Sequence, residues 1–155
     1  MLDLTRLTSI VLSLLSQITS MSQIFMDPYY RTVTGLIVLI EKEWLSFGHK
    51  FGERAGRSEK GETERSPIFQ QFLEALALVL IQKPESFEFN EKLLLALVEH
   101  QRSGWFGTFL LNTEVARRDA ATSKRTVSLW SFIESNRIAF TRPNFDMHAH
   151  MNSHR

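Results

Sequence analysis

Apolar residues in this chain recur at three- and four-residue steps and nowhere settle into sustained alternation, a pattern that admits helices and argues against a sheet. Val33, Leu36, Ile37, Ile40, Trp44 and Phe47 mark one helix face. Phe69, Phe72, Leu73, Leu76, Val79 and Leu80 mark a second, and Leu93, Leu94, Leu97 and Val98 a third. Punctuation falls between these runs. Asp27-Pro28 and Ser66-Pro67 each put a capping side chain ahead of a proline that a first turn tolerates. Asn90 caps a further helix, while Gly48, Pro84 and Gly104 end helices. The spacing predicts an all-α chain.

The N-terminal stretch needs its own reading, because no charged residue lies between Arg6 and Asp27. A membrane span is a poor fit: nine of those twenty residues are Ser, Thr or Gln. A signal peptide fits no better, since Asp3 opposes Arg6 and no small-residue cleavage site follows. Ile10, Leu14, Ile18, Met21 and Phe25 instead share one helical face, which predicts a helix that buries that face.

Further along, residues 52–65 mix glycine with alternating charge and read as a solvated loop. Trp105 to Leu111 reads as a short helix sealing the core, and Thr113 to Arg125 as a polar loop. Leu129, Trp130, Phe132 and Ile133 form a last amphipathic helix. Residues 146–155 read as a disordered tail. That tail holds His148, His150 and His154, but no carboxylate frame accompanies them, so no metal is assigned.

Composition narrows the chemistry. The chain has no cysteine, which excludes disulfides, zinc-thiolate sites and cysteine nucleophiles among its 155 residues. Eighteen basic residues against seventeen acidic leave a net charge of +1, too even for nonspecific nucleic-acid binding. No glycine-rich phosphate loop, paired-histidine zinc motif or nucleophile elbow occurs, and no cofactor is implied. Glu41 and Glu43 read as a solvated helix face. Lys50 and Arg54, four residues apart at a helix end beside His49, form either a two-pronged anion grip or a complement to the helix dipole.

Several blocks carry a resemblance. Asp27-Pro28-Tyr29-Tyr30-Arg31-Thr32 and LIEKEWLSFGHKF from Leu39 are followed by SPIFQQFLEAL from Ser66. FEFNEKLL from Phe87, FGTFLLN from Phe106 and KRTVSLWSFI from Lys124 come next. In this order and spacing, from Asp27 to about Phe145, the chain resembles the second, helical half of a myotubularin-type phosphoinositide phosphatase domain. The resemblance implies removal of the 3-phosphate from phosphatidylinositol 3-phosphate or 3,5-bisphosphate by a protein peripheral to endosomal membranes, cytoplasmic in location. Its partners would be the lipid headgroup and another myotubularin chain. It divides the chain into an unmatched segment 1–15, a partial phosphatase domain 16–145 and the tail 146–155. The fold implied is the helical half of a cysteine-phosphatase-like α/β domain without its sheet-bearing half.

The same resemblance exposes a departure. In the family the loop C-S-D-G-W-D-R-T runs straight into a helix beginning S-Q-L-T-S. Here SQITS begins at Ser16, so the loop position falls on Thr8 to Leu15. Thr8 then stands at the nucleophile, Ser13 at the acid and Leu14 at the phosphate-binding arginine. A threonine hydroxyl with no activating base does not replace a thiolate, and Leu14 offers no donor. No catalytic residue is therefore assigned. The segment Gly48-His49-Lys50-Phe51-Gly52-Glu53-Arg54 matches the family's G-H-R-F-x-x-R, whose basic residues reach the inositol phosphates, so Lys50 and Arg54 are the implied substrate-binding residues. Two readings stand: a truncated or mis-assembled phosphatase chain whose first fifteen residues are foreign, and a non-catalytic adaptor binding a phosphatase or a headgroup.

Overall fold

The computed structural model of the chain describes residues 4–56, 66–143 and 145–146. Regular structure among them is helical, apart from an isolated antiparallel bridge between Phe89 and Thr141. The all-α expectation holds. Helix α1 runs Leu4–Met26, α2 Val33–Ile40, α3 Phe51–Arg54, α4 Ile68–Gln82 and α5 Glu91–Ser103. Four short helices follow: α6 Glu114–Asp119, α7 Thr122–Arg125, α8 Leu129–Ser135 and α9 Arg137–Phe140.

The core gathers where α1, α2, α4 and α5 meet. Trp44, Phe51, Phe69, Phe72 and Phe109 lie buried at its centre, their rings packed edge-on or tilted. Burying such rings contributes about 1.5–3 kcal/mol each, before ring–ring geometry is counted. The apolar faces predicted for α2, α4 and α5 point into this core. Phe47 is the exception, at 46% exposed.

Helix α1 corrects the sequence reading. It is one helix, but it turns a different face inward. Ser13, Ser16, Ser20 and Ile24 are buried, while Leu14, Ile18 and Phe25 are exposed, Ile18 by 64%. Serine explains the inversion. Its small side chain lets α1 lie close along α4 and the end of α2, and its hydroxyl supplies hydrogen bonds there. Trp44 Nε1 donates to Ser20 Oγ at 2.9 Å, and His49 Nδ1 shares a bond with Ser13 Oγ at 3.0 Å.

The resemblance-bearing blocks have structural work that accounts for them. Asp27 caps a short 3-10 turn, Pro28–Arg31, and Thr32 then caps α2 itself, accepting from Gly35 N at 2.9 Å. Arg31 turns back to cap the end of α1, donating to the carbonyls of Ile24 and Phe25 at 2.9 and 3.1 Å. Glu88 accepts from Val33 N at 2.7 Å at the start of α2 and pairs with Arg137 at 2.9 Å. Gly107 lies so close to Thr126 that an added Cβ would stand 2.1 Å from its Oγ1. Thr108 Oγ1 accepts from Leu129 N at 2.9 Å, which fastens FGTFL to KRTVSLW.

Three smaller expectations change. Ser66 does not cap α4, whose N-cap is Pro67 with no side-chain bond. The stretch 113–125 is helical rather than a loop, started by Thr113 accepting from Ala116 N at 3.0 Å. The apolar cluster near Phe109 is a single 3-10 turn, Gly107–Phe109, with Trp105 left exposed.

Candidate functional site

Two local features build the candidate site. After Ile40 the chain widens into a π-helical turn over Glu41–Ser46, and Gly48 (φ +96°) reverses it. The reversal starts α3, a single turn that carries Phe51 and Arg54 inward. The residues read as a solvated loop thus begin as a buried helical turn, because Phe51 belongs to the aromatic core. Residues 57–65 lie outside the described residues, as do His148, His150 and His154.

Arg54 is only 6% exposed and lines a cleft of about 520 Å³ between α3, the start of α4 and the end of α5. His49, Ser66, Gln70, Gln101 and Arg102 share that cleft, with Phe51 and Phe69 as apolar wall. No carboxylate lines it among the described residues. His49 forms the floor. Burial, and secondarily the positive charge of Arg54, lower its pKa from 6.5 to about 3, so its ring is neutral at ordinary pH.

Lys50 sits elsewhere. Its ammonium lies 3.2 Å from Glu53 Oε2, and Glu53 is in turn bonded to Asn112 through both backbone and side chain. Lys50 is not among the cleft's lining residues. The two predicted cations therefore share a helical turn without sharing a pocket, and Arg54 is buried although it falls in the stretch read as a solvated loop. Arg102 was missed. Its position at the C-terminal end of α5 gives no sign in sequence that this end shares a cleft with α3.

Glu41 and Glu43 are engaged structurally. Glu41 accepts from Trp130 Nε1, and Glu43 from Gln23 Nε2 at 2.8 Å. A second cleft, near Gly107, Arg117 and Ser128, is held by Arg117 donating to the carbonyls of Leu110 and Leu45. Among the described residues no cluster of His, Asp or Glu has a metal-binding arrangement. None of their helices is long and apolar enough to cross a membrane.

The positions the resemblance aligns with a catalytic loop lie in the first half of α1. From Thr8 to Leu15 the backbone is helical, so its amides are committed to bonds one turn back. A phosphate loop needs those amides free and converging on the anion. Ser13 is buried against His49, and Leu14 faces outward.

A family model for the myotubularin-like phosphatase domain matches residues 14–118. Over 130 residues the chain is 45% identical to myotubularin of Rattus norvegicus, covering 83% of this chain and 22% of that protein. It is 43% identical over 140 residues to phosphatidylinositol-3,5-bisphosphate 3-phosphatase MTMR6 of Caenorhabditis elegans (88% and 21%). With the MTMR2 enzyme of Mus musculus the identity is 46% over 130 residues (83% and 20%). The chain thus spans about a fifth of the length of these relatives.

Proposed function

Because this chain belongs to the family of myotubularin-like phosphatase domains, we propose that it is a non-catalytic part of a phosphoinositide 3-phosphatase scaffold that keeps a headgroup-binding cleft. The ligand is the phosphorylated inositol ring of phosphatidylinositol 3-phosphate or 3,5-bisphosphate. Two relatives are named for acting on the latter. Hydrolysis is absent from the proposal for one reason above the others. Thr8, Ser13 and Leu14 stand where the nucleophile, acid and arginine are needed, and they sit on a continuous helix.

Arg54 is the anchor of the cleft and Lys50 a neighbouring charge outside its lining. A guanidinium offers a fork that matches phosphate oxygens, whereas Lys50 adds attraction without that geometry. The segment acts at a membrane surface, peripheral to endosomal lipid, and works beside another myotubularin chain that supplies the chemistry. Support for that partnership comes from α1. Val11, Leu14, Leu15, Ile18, Phe25 and Met26 leave a long apolar stripe in contact with water. We assign that stripe to the remainder of a phosphatase domain.

Titration of the water-soluble 3,5-bisphosphate headgroup at low salt tests the cleft. Wild type should bind weakly, the partly exposed Lys50 contributing on the order of a kcal/mol or less and the buried Arg54 the larger share. The double change Lys50→Ala and Arg54→Ala should abolish the signal. Equal binding by wild type and double variant would remove the cleft from the substrate path.

A further inference from the structure

The cleft that holds Arg54 has a second arginine in its lining that lies outside the segment the family resemblance assigns to substrate. We propose that Arg102 is the second phosphate-contacting cation of this cleft, and that Arg54 and Arg102 together take a phosphate monoester. The inference deepens the headgroup-binding reading and rests on it.

Four observations carry it. Arg102 and Arg54 line one cavity although 48 positions separate them in sequence, because α3, the start of α4 and the end of α5 border it together. Ser66, Gln70 and Gln101 border the same space, so its lining is polar beside the two arginines; the Gln70 amide nitrogen also donates to Glu74 at 2.8 Å. The lining contains no carboxylate among the described residues. Lys50, by contrast, is 3.2 Å from Glu53 and that carboxylate is fixed by Asn112, which offsets its charge.

Arg102 is exposed and Arg54 buried, so the pair divides the work. The inner guanidinium fixes position in a poorly hydrated floor. The outer one meets the anion at the mouth and responds to ionic strength. A competing role exists, since Arg102 lies in the last turn of α5 and complements that helix's dipole. The two roles separate cleanly: a dipole contact changes stability and leaves phosphate affinity alone.

The full chain is titrated at low salt with inorganic phosphate and, separately, with the soluble 3,5-bisphosphate headgroup. Wild type is compared with Arg102→Ala, Arg102→Lys, Lys50→Ala and Arg54→Lys, helicity being checked for each. Arg102→Ala should weaken binding roughly two- to fivefold, the span of one solvent-exposed charge contact, and the loss should shrink as salt rises. Arg102→Lys should recover part of it, keeping charge without the fork, and Lys50→Ala should cost less than Arg102→Ala. A loss seen only with the headgroup assigns the pair to the lipid. An equal loss with inorganic phosphate assigns it to free phosphate, and either outcome upholds Arg102. If Arg102→Ala binds as wild type while Arg54→Lys is impaired, Arg102 is no ligand and the cleft reading survives. If wild type binds neither probe, both fall.

Discussion

His49 shows how a side chain beside a candidate site serves the fold first. Its ring is wedged between Trp44 and Phe51 at centroid distances of 5.1 and 4.6 Å, and its Nδ1 is bonded to Ser13. Burial together with Arg54 keeps it neutral, with a pKa lowered from 6.5 to about 3. Above about pH 6.5 folded and unfolded chains carry the same uncharged ring, and His49 contributes its full stability. As pH falls below that value the unfolded chain takes up a proton the folded one refuses. Stability is lost progressively down to about pH 3, by up to about 1.4 kcal/mol per pH unit. Urea midpoints at pH 7.5 and pH 5 should show it. The wild type should lose about 2 kcal/mol more than His49→Gln over that interval. Parallel pH profiles for the two proteins would mean that His49 titrates normally in the fold.

At the scale of elements, α1 separates what periodicity specifies from what it leaves open. Three- and four-residue spacing identified the helix, and the same signal named α2, α4 and α5 with most of their buried faces. Which face of α1 turns inward depended on what it meets. Trp44 and His49 offer polar ring nitrogens, and close approach to α4 favours small residues, so the serines won over Leu14 and Ile18. Helices α6 and α7 were illegible because α6 rests on its Thr113 cap and α7 on contacts to neighbouring turns, with no apolar stripe to count. The candidate site was half legible. The match to G-H-R-F-x-x-R pointed to Arg54, but no local pattern brings Arg102 across from α5. The inverted face yields a direct comparison. Ser20→Leu should destabilise the chain by about 1–3 kcal/mol through overpacking, with Trp44 losing its acceptor as well. Ile18→Ser, on the exposed side, should change stability by about 0.5 kcal/mol or less. The reverse order in thermal melts would restore the face that periodicity alone selected.

For the molecule as a whole, a buried aromatic core coexists with an apolar stripe along α1 that nothing in the described structure covers. Such a surface drives association. The purified chain should elute larger than a monomer and shift toward monomer when Leu14 and Ile18 are changed to Lys, with helicity preserved. A wild type that elutes as a monomer at all concentrations would show that the stripe tolerates water. The central proposal is that a myotubularin-family scaffold persists here without its chemistry, and phosphate release tests it most directly. The purified chain is incubated with phosphatidylinositol 3-phosphate and with the 3,5-bisphosphate, and free phosphate is followed against a blank. Release should stay at the blank for both lipids, because Thr8 and Leu14 stand in helix α1 where a thiolate and a guanidinium are required. Turnover that co-elutes with the chain through repurification would contradict it.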